Sequence, residues 1–225
     1  ANKEVTNPLL MEWDTPFETV PFDKIQVKDY EPAFVEAIKI HNKEIDSIIN
    51  NSEKPTFANT IEALDYSGAL LRRVSLVYAN MIGCNTNDEL QSLQEKISPL
   101  TANHDAEINL NEKLFNRIKT VWDNRSKENL SEEQQHLLKK TYDRFVRNGA
   151  LLDKDKKKQL KEVNQQLVSL NDKYNANVLA ETKNYKLVIT NKEDLKGLPQ
   201  WLIDNAAQTA KEQKQEGKWI FTLDN

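Results

Sequence analysis

At 225 residues and 26.0 kDa the chain can bury a core without disulfide or metal staples, and its length suits one domain or two. No run of about 18 apolar residues occurs and mean hydropathy is -0.72, which excludes a membrane-spanning helix. Glycine, 5 of 225, is too scarce for Gly-rich phosphate loops or a turn-rich all-β fold, and a net charge of -4 argues against a nucleic-acid footprint.

Residues 1–28 read as an extended arm. Pro8, Pro16 and Pro21 remove helix donors, and Trp13, Phe17 and Phe22 between them are expected to pin onto a helical body spanning 29–225. Asp29 reads as an N-cap with Pro32 in the first turn, followed by Phe34, Ile38, Ile45, Ile48 and Ile49 at helical spacing. Thr56 caps a second pattern, Phe57 to Gly83, in which Gly68 marks a close helix contact. A third helix follows Asn87 through Leu90, Leu93 and Ile97, where Pro99 is expected to kink or break it. Asn111 caps a helix carrying Leu114, Phe115, Ile118 and Val121.

Ser131 and Gln134 form a Ser-x-x-Gln capping box, and Gly149 is placed to end that helix. Asp153 opens the longest helix. Its Leu160, Val163, Leu167, Leu170, Tyr174 and Val178 alternate spacings of three and four, a narrow seam for another helix. The period then changes. Residues 185–190 and 218–223 read as strands flanking a last helix that opens at Leu198-Pro199, and they are natural antiparallel partners. Trp219, Phe221 and Leu223 alternate with Lys218, Ile220 and Thr222, so the Trp219 side is expected to be the apolar one and to pair with another surface. The fold class is mostly α: at least seven helices with a small antiparallel β pairing near the C-terminus.

The residues show no catalytic kit. The three histidines, His41, His104 and His136, form no His-Glu-x-x-His. Glu133-x-x-His136 matches half of a di-iron motif whose second copy is missing, because Ile38 and Thr101 stand where the second glutamate is needed. Three surface or capping histidines are the expectation, with no metal ligand and no catalytic residue assigned. Cys84 cannot form an intrachain disulfide, fixes no compartment, and reads as a buried or half-buried structural cysteine. Asn80, Asn85, Thr86, Asn87 and Asp88 cluster at a helix–helix turn. Capping explains them, and substrate contact is the sharper alternative. The chain opens at Ala1-Asn2-Lys3-Glu4, with neither an initiator Met nor an apolar signal core. Its last strand is followed only by Asp224 and Asn225, which reads as a cut. Two classes survive: a stand-alone helical interaction domain, or a non-catalytic part of an enzyme.

Segment order separates them. Asn7-Pro8-Leu9-Leu10, Trp13-Asp14-Thr15-Pro16-Phe17 and Val20-Pro21-Phe22-Asp23-Lys24-Ile25 resemble the opening of the bacterial peptidyl-dipeptidases, within the thimet oligopeptidase-like zinc metallopeptidases. Pro55 to Leu64, Asn85 to Leu90, Leu110 to Phe115, Phe145 to Ala150, Leu179 to Thr182 and Gly217 to Leu223 continue the resemblance in order. The resemblance implies a helical clam around a deep channel that admits short peptides. It places the His-Glu-x-x-His zinc site in a C-terminal catalytic domain absent from these residues. Zinc then belongs to the full-length enzyme and none to this segment. The partners it implies are that catalytic domain and short peptide substrates, with no nucleic acid and no membrane. The compartment is the periplasm or cell envelope after leader removal, or alternatively the cytoplasm. For contact with substrate, Asn80 to Asp88 are the candidates.

Overall fold

The computed structural model describes residues 7–223; the opening Ala1-Asn2-Lys3-Glu4 and the Asp224-Asn225 end lie outside them. The described residues hold seven α-helices of three turns or more, a four-residue helical turn, and one two-stranded sheet, as the spacing predicts. They fall into two compact units that divide between Ser169 and Leu170.

The arm is anchored by Leu9, fully buried, rather than by three aromatics. Asn7 caps the short turn Pro8–Leu10 and donates from its amide to the Asp29 carbonyl at 2.8 Å. Trp13 donates from Nε1 to the Pro8 carbonyl at 2.9 Å, and the Arg73 guanidinium lies 4.9 Å from its ring centroid. Phe17, however, is 99% exposed and Phe22 48%. Phe17 sits at φ 58 inside the turn Pro16–Glu18, and its ring stands in solvent.

Helix α1 (Val27–Ile49) starts earlier than expected. Gln26 is its N-cap, and Asp29 is its third residue, accepting from the Gln26 N–H at 2.8 Å. Pro32 therefore lies inside the helix. Thr56 and Asn59 exchange cap bonds at the head of a π-helical segment, Phe57–Glu62, that runs into α2 (Ala63–Tyr66). The single helix expected to Gly83 is broken at Ser67-Gly68, and α3 spans Ala69–Cys84. Helix α4 (Asp88–Asn109) passes through Pro99 unbroken. Leu90, Leu93 and Ile97 before the proline, and Ile108 after it, are buried. Each such burial contributes about 1.5–3 kcal/mol, which together outweighs the roughly 3 kcal/mol an internal proline costs. Helices α5 (Glu112–Asn124) and α6 (Glu132–Arg147) begin at the caps the sequence marks, Asn111 and Ser131.

Two buried clusters result. Leu9, Tyr30, Phe34, Val74, Tyr78, Leu90 and Ile97 join the arm, α1, α3 and α4. Ile45, Ile48, Phe57, Ile61, Leu114, Ile118, Leu138 and Phe145 join the far half of α1 to the π segment, α5 and α6. Arg117 staples the second cluster to the loop before it. Its guanidinium, within a 9%-exposed residue, donates to the Asn51 carbonyl at 2.9 Å, the Glu53 carbonyl at 3.3 Å and Asn59 Oδ1 at 3.1 Å. Bonds to a charged donor are worth about 1.5–3 kcal/mol, and without it the Asn51 and Glu53 carbonyls would lose this donor while Asn59 Oδ1 keeps the Thr56 N–H and the Thr60 hydroxyl. Arg117→Met is therefore expected to cost about 2–4 kcal/mol in urea unfolding, and Arg117→Lys to restore only part, because a lysine has no planar fork. A loss below about 0.5 kcal/mol would show that water replaces the guanidinium freely.

Helix α7 (Lys154–Asn184) has no buried residue. Within the first unit Leu160, the first residue of its seam, is half-buried beside Gly149, and the other ties are polar: Lys157 to Glu112 at 3.2 Å, Lys161 to Glu107 at 3.9 Å, and Gln165 to Asn103 at 2.6 Å. Its apolar seam, expected to meet another helix, stays exposed at Val163, Leu167, Leu170, Tyr174 and Val178. In the second unit β1 (Leu187–Ile189) pairs antiparallel with β2 (Trp219–Phe221), Leu187 opposite Phe221 and Ile189 opposite Trp219. Helix α8 (Gln200–Glu212) packs against β2. The Trp219 side, expected to meet another surface, is the more open face of β2. Ile220 is the buried strand residue, at 1% exposed, while Trp219 and Phe221 are half-buried and Leu223 is exposed. The small Ala206 and Ala210, both buried, let the helix close on the sheet.

Candidate functional site

The corner singled out in the sequence, Asn80 to Asp88, is the α3–α4 turn, and each of its residues has a local bond. Asn80 donates back to the Leu76 carbonyl at 2.9 Å. Asn85 closes α3 through its N–H to the Met81 carbonyl. Asn87 Oδ1 accepts from the Leu90 N–H at 2.9 Å, the Asp88 carbonyl accepts from Ser92, and Thr86 accepts from Gln91 at 3.5 Å. The caps leave most of these side chains facing solvent. Cys84 is exposed as well, contrary to the buried reading, because it ends α3 beyond the last buried side chain of that helix, Tyr78.

What the sequence reading missed is a histidine pair. His104, 3% exposed, and half-buried His41 meet across 63 positions, Nε2 to Nδ1 at 2.9 Å. They are not surface histidines. The signal was present: His104 falls on the apolar stripe of Ile97 and Ile108, and His41 on that of Phe34, Ala37, Ile45 and Ile48. Donor bookkeeping assigns the protons. Ser67 Oγ donates to the Leu64 carbonyl at 2.7 Å, so it accepts from His41 Nε2 at 3.1 Å. His41 Nδ1 is then the acceptor for His104 Nε2–H, and both rings are neutral. His104 Nδ1 is left buried without a partner. Burial pushes both rings below the usual histidine range. For His41 the charge of His104 adds to that and Glu44 opposes it; for His104 Asp105 and Glu107 oppose it.

His41 also forms part of the floor of an open trough of about 1200 Å³ in the first unit, walled by α3, α4 and α6. Arg72 of α3, Asp105 of α4, and His136, Arg144 and Arg147 of α6 line it. Crowding by protein atoms lowers the pKa of Arg144, opposed by Asp105 and Asp65, and burial raises that of Asp105, opposed by His104 and Arg144. Among the described residues no group of three or more His, Cys, Asp or Glu is placed to hold a metal. Nor is any described helix long and apolar enough to cross a membrane.

No known family profile matches the chain. The chain is similar in sequence to peptidases of the oligopeptidase kind: 26% identical over 97% of its length to the organellar oligopeptidase A of Arabidopsis thaliana. Its similarity to two dipeptidyl carboxypeptidases is higher. Those of Salmonella typhimurium and Escherichia coli are each 37% identical, over 98% and 97% of this chain, and the match covers 32% of their own length. The chain thus spans about a third of the length of these relatives. The identity to the dipeptidyl carboxypeptidases, 37%, exceeds the 26% to the organellar oligopeptidase A, over nearly the whole chain in each case.

Proposed function

We propose that the chain is the non-catalytic N-terminal part of a zinc metallopeptidase that removes dipeptides from the C-termini of short peptides, and that its helices form part of the substrate channel wall. The observation that carries this reading is 37% identity along 98% of the chain to a dipeptidyl carboxypeptidase three times as long. The exposed seam of α7 supports it. A helix tied down by polar contacts with its apolar side outward is suited to a cover supplied from elsewhere in the parent protein. In this reading the exposed amides at Asn80, Asn85 and Asn87, with Thr86 and Asp88, line the path of the substrate.

The test is to make the remaining two thirds of the parent protein separately and mix it with this chain. The chain alone is expected to hold no stoichiometric zinc after dialysis and to release no dipeptide from a blocked oligopeptide. The mixture is expected to release dipeptides with a preference for short substrates. If the larger part works alone, and adding this chain changes neither rate nor length preference, the wall reading fails. A stand-alone interaction domain would also use an exposed seam. The mass of the native protein separates the two readings: about three times that of this chain, or equal to it.

A further inference from the structure

The chain has six arginines, and four of them donate to backbone carbonyls. The two that donate no hydrogen bond to any described residue, Arg144 and Arg147, stand one turn apart at the end of α6 and both line the trough. A helix C-terminus favours cations, which accounts for two arginines on α6. It does not account for Arg72 reaching the same space from α3. Five cations and three carboxylates line the trough of a chain whose net charge is -4. Of those carboxylates Asp143 is already held by Lys139, and neither Asp65 nor Asp105 comes within ion-pair distance of an arginine. The walls also carry apolar groups, Leu71 and Ile108 among them, and the space is far larger than one small anion fills.

Resting on the peptidase reading for the class of ligand, we propose that this trough binds a peptide through a carboxylate held by Arg144 and Arg147, with Arg72 facing them. A guanidinium presents a planar fork of donors that matches a carboxylate two bonds at a time. The Arg144 guanidinium lies 5.4 Å from the Phe145 ring centroid, but neither fork donates a hydrogen bond to a described residue, so both can take a carboxylate without first breaking one. Asp65 and Asp105 keep the site from taking any anion indiscriminately and suit a ligand that carries both signs, as a peptide does.

The experiment titrates the 225-residue chain by calorimetry with acetyl-tetra-alanine as the free acid, with its C-terminal amide, with an amidated analogue carrying one glutamate, and with inorganic phosphate. The free acid is expected to bind, the plain amide at least tenfold more weakly, and phosphate not to compete. Arg144→Gln and Arg147→Gln are each expected to weaken the free acid about tenfold with unchanged circular dichroism, and high salt to weaken it further. Recovery of binding by the glutamate analogue places the carboxylate on a side chain, no recovery places it at the terminus, and both support the site. Equal binding of acid and plain amide, no effect of either substitution, or displacement by phosphate overturns it. Acid-specific binding without dipeptide release from the assembled parent protein would sink the peptidase reading alone. Dipeptide release without such binding would sink the trough alone.

Discussion

Gly68→Ala is expected to destabilise the chain by about 2–5 kcal/mol and to lower its melting temperature by about 10 °C. Two separate effects add. Gly68 is at φ +72, a left-handed conformation that costs an L-residue about 1–2 kcal/mol. A Cβ there would also stand 2.8 Å from His41 Cε1 and 2.9 Å from Nδ1. The ring cannot retreat freely, since His104 holds it at 2.9 Å through Nδ1 and Ser67 at 3.1 Å through Nε2. Overpacking of this kind costs about 1–3 kcal/mol. The backbone cannot retreat freely either, because the Gly68 N–H donates to Glu44 Oε2 at 2.7 Å. A double-mutant cycle separates the effects. In a His41→Ala background only the backbone cost of about 1–2 kcal/mol should remain. Equal costs in both backgrounds would show that the ring is not what the glycine accommodates.

The histidine pair makes stability fall as the solution is acidified from about pH 7.5 to 5.5. Both rings are held below their ordinary pKa when folded, chiefly by burial, so they are neutral where the unfolded chain has begun to protonate. The unfolded state then binds more protons, and stability rises with pH through this window and levels off above the unfolded value, near 6.5. Each ring contributes a slope of at most about 1.4 kcal/mol per pH unit. The structure opposes uptake sterically as well. A proton on His41 Nδ1 would point at the N–H of His104 across 2.9 Å. Urea unfolding at several pH values measures the slope, and His104→Gln should remove about half of it. Stability that is flat, or that rises, on acidification through this window would refute the neutral pair. Asp105, whose carboxyl is raised by burial, acts in the opposite sense at lower pH, which is why the window stops at 5.5.

Where local chemistry decides, the sequence alone was sufficient. Asn87, Asn111 and Ser131 start their helices because a side-chain oxygen accepts from the backbone N–H three residues on, an interaction contained within one turn. The strands at 187–189 and 219–221 were legible from β-branched and aromatic content and from the helix between them. Their sidedness was not, because alternation names two faces and only the packing of α8 selects Ile220 for burial. Pro99 breaks a helix on local rules, yet α4 continues, since burial on both sides of it outweighs one lost bond. Tertiary structure alone decided that His41 meets His104, that Gly68 makes room for the ring, and that Arg72, Arg144 and Arg147 line one trough. Each of these joins residues dozens of positions apart, and the spacing within any one helix fixes only which face a residue is on, not what that face meets.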